Sequence, residues 1–167
     1  MAADLLGLLA DAYEIEGLMV HYFERVDALD PFGAVSIFTE DAEGDFMTGK
    51  VYRGPEQIAR ALGHILLQYR HTSHHISNHR ARIEGDQAEA LTYIYAFHRF
   101  PDDRVWELWA RHEDHLVRTP QGWRVRRRVL RAVDSVPRWD KIRDDWYYGH
   151  PERHSPEELA RRLERSD

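Results

Sequence analysis

Residues 72–99, TSHHISNHRARIEGDQAEALTYIYAFHR, form the stretch that decides the fold. They divide at Glu84-Gly85-Asp86, a typical turn sequence, and on both sides of this turn the side chains alternate as in a half-buried strand. The pattern continues downstream with further short turns, and it predicts strands at 72–84, 87–99, 104–118 and 122–134. Four consecutive strands joined by short turns form an antiparallel meander.

Helices are predicted before the meander. Apolar residues recur at three- and four-residue intervals from Leu5 to Leu29, which is typical of an amphipathic helix. Asp30-Pro31 supplies an N-cap and a first-turn proline for a short helix over 31–39, and Gly54-Pro55-Glu56 begins another helix that runs to about Tyr69. Residues 42–53 between them look extended. Helices followed by a hairpinned sheet predict an α+β fold with the helices on one face of the sheet.

The length of 167 residues fits one domain with a substantial core. We assign residues 1–135 to the α+β domain and 136–167 to a C-terminal extension of the same domain. The extension ends in a polar helix over 156–165, which Ser155 caps. It also contains Trp139, Ile142, Trp146, Tyr147 and Tyr148, an aromatic tail that would lie across a pocket mouth or a partner subunit.

Charge and composition exclude several classes of function. The net charge of −6 argues against nucleic acid or an anionic membrane as the main partner. The arginines of 124–131 interleave with apolar residues and predict a solvated or interface-facing strand. The chain has no cysteine, which excludes disulfides and Cys-based zinc sites. An acidic N-terminus without a long apolar run predicts a cytoplasmic protein, and an exposed sheet face predicts a homo-oligomer, either a dimer or a trimer.

Strand alternation identifies candidate pocket residues. In 87–99 it places small residues and, at the end, His98 on one face, as expected for the floor of a cavity. On the preceding strand His74 and Asn78 share a face, while His75 and His79 take the other. We therefore expect His74, Asn78 and His98 to face the same space.

Asp27 lies in an apolar stretch late in the first helix, where a carboxylate is costly to bury without a hydrogen-bonding partner. A histidine is the natural partner. An Asp27 carboxylate that holds one nitrogen of His74 would fix the tautomer and leave the other nitrogen as a general base. The alternative, in which Asp27 is an ordinary polar residue at a helix end, stays open at this point.

The histidine-rich segment also has a metal-binding interpretation, because His71, His75 and His79 would share one face if the segment were helical. The extended pattern of the segment and the lack of a nearby carboxylate disfavour that interpretation. Phosphate-binding glycine loops and the Gly-x-Ser-x-Gly elbow are also missing from the sequence. We therefore predict acid and base chemistry without a cofactor.

Five short motifs give the chain a resemblance to a known family. They are Tyr-Phe-x-x-x-Asp at 22–27, Phe-Thr-Glu-Asp-Ala at 38–42, Tyr-Arg-Gly-Pro-Glu at 52–56, Thr-Ser-His-His-Ile-Ser-Asn at 72–78 and Gly-Trp-Arg at 122–124. In this order and spacing the chain resembles the SnoaL-like branch of the nuclear-transport-factor-like superfamily, over about residues 12–133. The resemblance implies a cone-shaped α+β barrel, a curved antiparallel sheet closed by N-terminal helices.

Within that superfamily the chain is most similar to the scytalone dehydratase and bile-acid 7α-dehydratase branch. The first of these implies catalytic roles for Asp27, His74 and His98, and the second implies roles for Tyr22, Asp27 and His74. Phe46 stands where scytalone dehydratases have a water-holding tyrosine. Phe46 is expected to contact the substrate together with Asn78 and His112.

These expectations describe a cofactor-independent lyase, a dehydratase that acts on a small, hydrophobic, cyclic or polyketide-like carbonyl compound. An isomerase that uses the same base is one alternative. The other is a non-catalytic protein, either a ligand binder or a structural subunit, because the small subunits of ring-hydroxylating dioxygenases share some of these motifs.

Overall fold

The computed structural model describes residues 2–138 and 154–165. Its helices are α1 (Ala2–Asp27), α2 (Pro31–Ala34), α3 (Gly54–Leu66) and α4 (Pro156–Glu164), with a 3-10 turn over Val35–Ile37. Its strands are β1 (Phe38–Asp45), β2 (Val51–Arg53), β3 (His71–Glu84), β4 (Gln87–Arg99), β5 (Val105–Thr119) and β6 (Gly122–Arg138). The predicted aromatic tail begins at Trp139 and lies outside the described residues, so its proposed position stays a prediction.

The six strands form one curved, open sheet in the order β2-β1-β6-β5-β4-β3. Strands β3 to β6 pair antiparallel as the predicted meander. Strand β1 pairs antiparallel with β2 but parallel with β6, which makes the sheet mixed. Helix α1 packs on β3 and β6, and α3 packs on β1 and β2. The predicted α+β cone is confirmed, with the parallel β1–β6 pair as the difference from a wholly antiparallel sheet.

Helix α1 turns one apolar face towards the sheet, and this face is formed by Ile15, Met19, Tyr22, Phe23 and Val26. The helix ends where Leu29 adopts a positive φ of 56°. The Asp30 carboxylate then accepts a hydrogen bond from the Gly33 N–H at 3.0 Å and caps α2. The short helix predicted over 31–39 ends at Ile37, because β1 begins at Phe38.

A β-bulge in β3 changes which side chains face the helices. The pairing with β4 shifts between Ser77 and Arg80, and Asn78 has a φ of 48°. Asn78 is therefore exposed, and the His79 ring reaches the buried Thr92 hydroxyl at 2.8 Å. The predicted faces of Asn78 and His79 were wrong, because strict alternation does not account for the extra residue of a bulge.

Helix α4 of the extension packs against α3. Its Leu159 and Leu163 side chains are buried in the core, and Leu163 lies against Gly63. The Arg162 guanidinium donates to Asp30 at 2.9 Å. Ser155 and Glu158 form a complete capping box, which is the predicted start of this helix. Among the described helices, none has both the length and the apolar character that crossing a membrane requires.

Candidate active site

A cavity of about 140 Å³ lies between α1, α3 and the concave face of the sheet. Its polar wall residues are Tyr22, Tyr69, His74, His98 and His112. The other wall residues are apolar and include Phe23, Phe46, Leu62, Ile94, Trp106 and Leu130. A mostly apolar cavity with a few convergent polar groups is the usual form of a small-molecule site.

A larger groove of about 870 Å³ lies elsewhere on the molecule and opens widely to solvent. Its charged side chains pair with one another, as Arg126 does with Asp41 at 3.1 Å and Arg82 with Glu84 at 2.6 Å. Solvent-exposed pairs of this kind are common on protein surfaces. The smaller apolar cavity is therefore the better candidate for chemistry.

Asp27 and His74 form a closely packed pair at the cavity wall. The His74 Nδ1 lies 2.6 Å from Asp27 Oδ1, and the His74 backbone N–H donates to Oδ2 at 2.8 Å. The two side chains are only 14% and 11% exposed. Both carboxylate oxygens thus hold the same residue, and a proton on Nδ1 leaves Nε2 as the basic nitrogen of the ring.

His98 is held between two aromatic rings. Its ring centroid lies 4.4 Å from that of Tyr69 and 4.9 Å from that of Trp106, and the His74 ring meets it edge-on at 5.4 Å. Burial, with a smaller contribution from the neighbouring His74, lowers the pKa of His98 to about 3. At neutral pH His98 is therefore uncharged, and it can donate or accept a hydrogen bond but cannot act as an imidazolium acid.

Tyr22 lies beside a buried ion pair that sequence reasoning missed. Arg128 and Asp114 are both 0% exposed, and two Arg128 nitrogens donate to the two Asp114 oxygens, each at 2.7 Å. The guanidinium carbon lies 4.3 Å from the centroid of the Tyr22 ring. Burial raises the pKa of the Tyr22 phenol, and the positive charge of Arg128 opposes that rise.

The prediction that the arginines of 124–131 face solvent or an interface was wrong for Arg128. A register shift in the β5–β6 pair near His115 brings Arg128 to the inward face. A signal for the ion pair was present in β5, where Leu108, Ala110, His112, Asp114 and Leu116 alternate as one buried face. An aspartate in such a series requires a buried cation.

The remaining predicted site residues divide into two groups. His112 is buried and stacks on Phe23 at 5.3 Å, and burial lowers its pKa well below the ordinary value. Phe46 also lies on the cavity wall. Asn78 does not reach the cavity, because the bulge turns it to solvent. The fold thus brings Tyr22, His74, His98, His112 and Phe46 to one cavity, with Asp27 behind His74.

The histidines of the alternative metal site lie on a strand and not on a helix. Over residues 2–138 and 154–165, no three or more histidine, aspartate or glutamate side chains converge as metal ligands would. The Nδ1 atoms of His98 and His112 are buried without a hydrogen-bond partner in the same part of the chain.

Known proteins share both the sequence pattern and the fold. A family model described as the SnoaL-like domain matches residues 8–129. An uncharacterized protein of Mycobacterium tuberculosis is 30% identical over 124 residues, which cover 72% of this chain and 84% of the relative. The name of this relative gives no activity, so the similarity supports membership of a family and does not indicate a reaction.

Two solved structures with enzyme names have the same fold. One, from Novosphingobium aromaticivorans and provisionally named a scytalone dehydratase, has a TM-score of 0.71 at 25% identity and covers 86% of this chain and 94% of its own. The other, a hexachlorocyclohexane dehydrochlorinase of Novosphingobium barchaimii, has a TM-score of 0.74 at 17% identity and covers 86% and 99%. Because the family model spans most of the chain and these structures share its architecture, the protein belongs to the SnoaL-like domain family.

Proposed function

We propose that the protein is a cofactor-independent lyase of the dehydratase type. The observation that carries the proposal is the doubly hydrogen-bonded Asp27–His74 pair, whose histidine lines the wall of an apolar cavity. A base that is oriented by a carboxylate and shielded from water is suited to removing a proton next to a carbonyl group. The enzyme names of two structural neighbours are compatible with elimination chemistry.

His74 is the base in this mechanism. Its Nε2 takes the proton from the carbon next to the carbonyl, and the Asp27 carboxylate stabilises the imidazolium that forms. The electron pair of the broken C–H bond forms the new C=C bond as the C–O bond to the hydroxyl breaks. His98, which is uncharged, donates a hydrogen bond to the carbonyl oxygen as negative charge develops there.

Tyr22 supplies the second proton. Its phenol protonates the departing hydroxyl, which leaves as water, and the resulting phenolate lies beside the Arg128 guanidinium. Proton transfer from His74 to Tyr22 through water then restores both groups. His112 and Phe46 complete the wall that keeps the substrate in place.

The size of the cavity limits the substrate. A dry protein cavity of roughly 150 Å³ accommodates one benzene molecule, and the cavity here is of the same size at about 140 Å³. Over residues 2–138 and 154–165, no lysine or arginine side chain on its wall would pair with an anionic group. A small, uncharged compound with one ring, a carbonyl group and a hydroxyl group fits these limits.

Two alternatives use the same residues. In an isomerase the proton on His74 would return to another carbon of the substrate. In a non-catalytic binder, Asp27 and His74 would only satisfy each other's hydrogen bonds, as the two short contacts between them already do. Loss of water from the substrate distinguishes the dehydratase from both alternatives.

The test is a screen of one-ring hydroxy-carbonyl compounds for water loss, followed as the ultraviolet absorbance of the conjugated product. Once a substrate is found, Asp27→Asn is expected to lower kcat/KM by about 10²–10⁴-fold, because an amide cannot stabilise a charged His74. The matched control is Asp41→Asn, which changes an exposed carboxylate in the charged groove. Full activity in Asp27→Asn on a verified substrate would disprove the role of the pair.

A further inference from the structure

Tyr69 lies on the cavity wall, but it was not among the site residues predicted from the sequence and has no part in the proton transfers. Its side chain is only 6% exposed. Within residues 2–138 and 154–165 its hydroxyl group forms no hydrogen bond, although the oxygen atom is not sealed in by other atoms. A buried tyrosine hydroxyl ordinarily has a hydrogen-bond partner. A molecule bound in the cavity can provide that partner.

Three aromatic neighbours hold the Tyr69 ring in place. Its centroid lies 4.4 Å from the ring of His98, 5.2 Å from that of Phe100 and 6.4 Å from that of Trp106. The backbone is fixed as well, because the Tyr69 N–H donates to the Leu66 carbonyl at 3.1 Å, just after α3. A donor that is held in position before binding loses little conformational entropy when a ligand arrives.

The Tyr69 hydroxyl and the His98 imidazole belong to neighbouring rings of the same wall. His74, the base of the proposed mechanism, meets the His98 ring at 5.4 Å. The cavity of about 140 Å³ has room for about one benzene-sized ring, so a bound molecule contacts all three side chains. A carbonyl oxygen has two lone pairs, accepts hydrogen bonds and donates none. Such an oxygen can therefore accept from Tyr69 as well as from His98.

The two tyrosines of the wall differ in acidity. Burial raises the pKa of Tyr69 to about 12, so this phenol keeps its proton and is a hydrogen-bond donor rather than an acid. Burial also raises the pKa of Tyr22, but the Arg128 guanidinium, 4.3 Å from the Tyr22 ring, opposes that rise. Tyr22 is thus the better source of a proton, and Tyr69 is the better anchor for an oxygen atom.

From these contacts we infer that Tyr69 is a specificity-determining residue, whose hydroxyl donates a hydrogen bond to the carbonyl oxygen of the bound substrate beside His98. The presence of a carbonyl group rests on the proposed function. The role of Tyr69, however, concerns binding and not proton transfer. It can therefore be tested with a compound that has no water to lose.

The probe is benzaldehyde, compared with styrene, in which a methylene group replaces the carbonyl oxygen and the shape is nearly the same. Titrations of the full chain followed by proton–nitrogen correlation NMR give both dissociation constants. In Tyr69→Phe the ratio of the affinities for benzaldehyde and styrene is expected to fall about threefold to tenfold, because one hydrogen bond is lost. The matched control Tyr13→Phe removes an exposed hydroxyl outside the cavity and should leave the ratio unchanged.

A second measurement observes the hydrogen bond on the ligand itself. The C=O stretching frequency of bound benzaldehyde is expected to be higher in Tyr69→Phe than in the wild type, because a hydrogen bond to the oxygen weakens the C=O bond. A merely structural role of Tyr69 would change the affinity for both compounds and leave their ratio alone. An unchanged ratio, an unchanged stretching frequency, or no binding of benzaldehyde to the wild type would overturn the inference.

Binding and water loss are separate readouts. If no compound loses water but the preference for benzaldehyde depends on Tyr69, the hydrogen bond stands and the dehydratase proposal fails in favour of a ligand binder. If water loss is found and the preference does not depend on Tyr69, only the role of Tyr69 is refuted.

Discussion

Replacing Asp114 with leucine removes the carboxylate that accepts two hydrogen bonds from the buried Arg128 guanidinium. Both side chains are completely buried, so the charge left on Arg128 has no water to solvate it. Removing one partner of such a pair costs about 3–5 kcal/mol of unfolding free energy. For a chain of this size each kcal/mol lowers Tm by about 2–4 °C, so Tm should fall by roughly 6–20 °C.

The lost stability is expected to return when both charges of the pair are removed. Arg128→Met alone leaves Asp114 buried without its partner and removes the guanidinium from the Tyr22 ring. In the double variant Asp114→Leu with Arg128→Met no buried charge remains at this site. Replacement of a whole buried pair by apolar residues is often close to neutral. The double variant is therefore expected to be more stable than either single variant.

Urea denaturation followed by circular dichroism measures all four free energies, and a constant m-value verifies that they are comparable. Arg126→Met is the control, because Arg126 pairs with Asp41 on the surface and its loss should cost less than about 1 kcal/mol. If Asp114→Leu costs no more than this control, or if the two single losses simply add, the ion pair does not stabilise the core as argued.

Two further predictions concern the cavity and the extension. Burial lowers the pKa of His98 to about 3, below the value of about 6.5 in an unfolded chain. Between these two pH values the unfolded chain binds more protons than the folded one, so the free energy of unfolding falls as the pH drops below about 6.5. By pH 5 His98 should lower the free energy of unfolding by about 2 kcal/mol, and the His98→Phe variant should not show this decrease in urea titrations at several pH values. An equal pH dependence of stability in both proteins would contradict the burial of an uncharged His98. Leu163→Ala is expected to lower the unfolding free energy by about 2–5 kcal/mol, because this buried side chain fixes α4 on the core. Adding Gly63→Ala should restore part of this free energy, because the new methyl group would fill space that the Leu163 side chain leaves. A loss below about 0.5 kcal/mol in thermal or urea unfolding would mean that α4 contributes little to the folded state.

The sequence contained enough local information to predict the meander. Alternation and turn residues give nearly the observed ends of β3 to β6, because both signals depend on neighbouring residues. The parallel pairing of β1 with β6 could not be predicted in the same way. It joins Phe38 to Val125, and no local pattern encodes a contact between positions so far apart.

The candidate site was predictable where polar residues stood in apolar surroundings. Asp27 and His74 could be paired by this reasoning, since a carboxylate in an apolar helix needs a partner, although a catalytic role for the pair stays a prediction. Asn78 was misplaced because a bulge shifts the faces of a strand by one residue. Arg128 was missed because the other arginines of the same strand are partly or fully exposed, and the sequence pattern does not distinguish the buried one from them.

The parallel pairing of β1 with β6 has a consequence for the order in which the molecule forms. During synthesis β1 leaves the ribosome long before β6, and Phe38 must wait for Val125, 87 residues later, before its strand has this neighbour. Contacts between positions so distant in the chain slow folding, because the loop between them must close first. The cavity draws its wall from α1, α3 and the four strands β3 to β6. Its wall is therefore complete only after β6, the last strand of the chain, has joined the sheet.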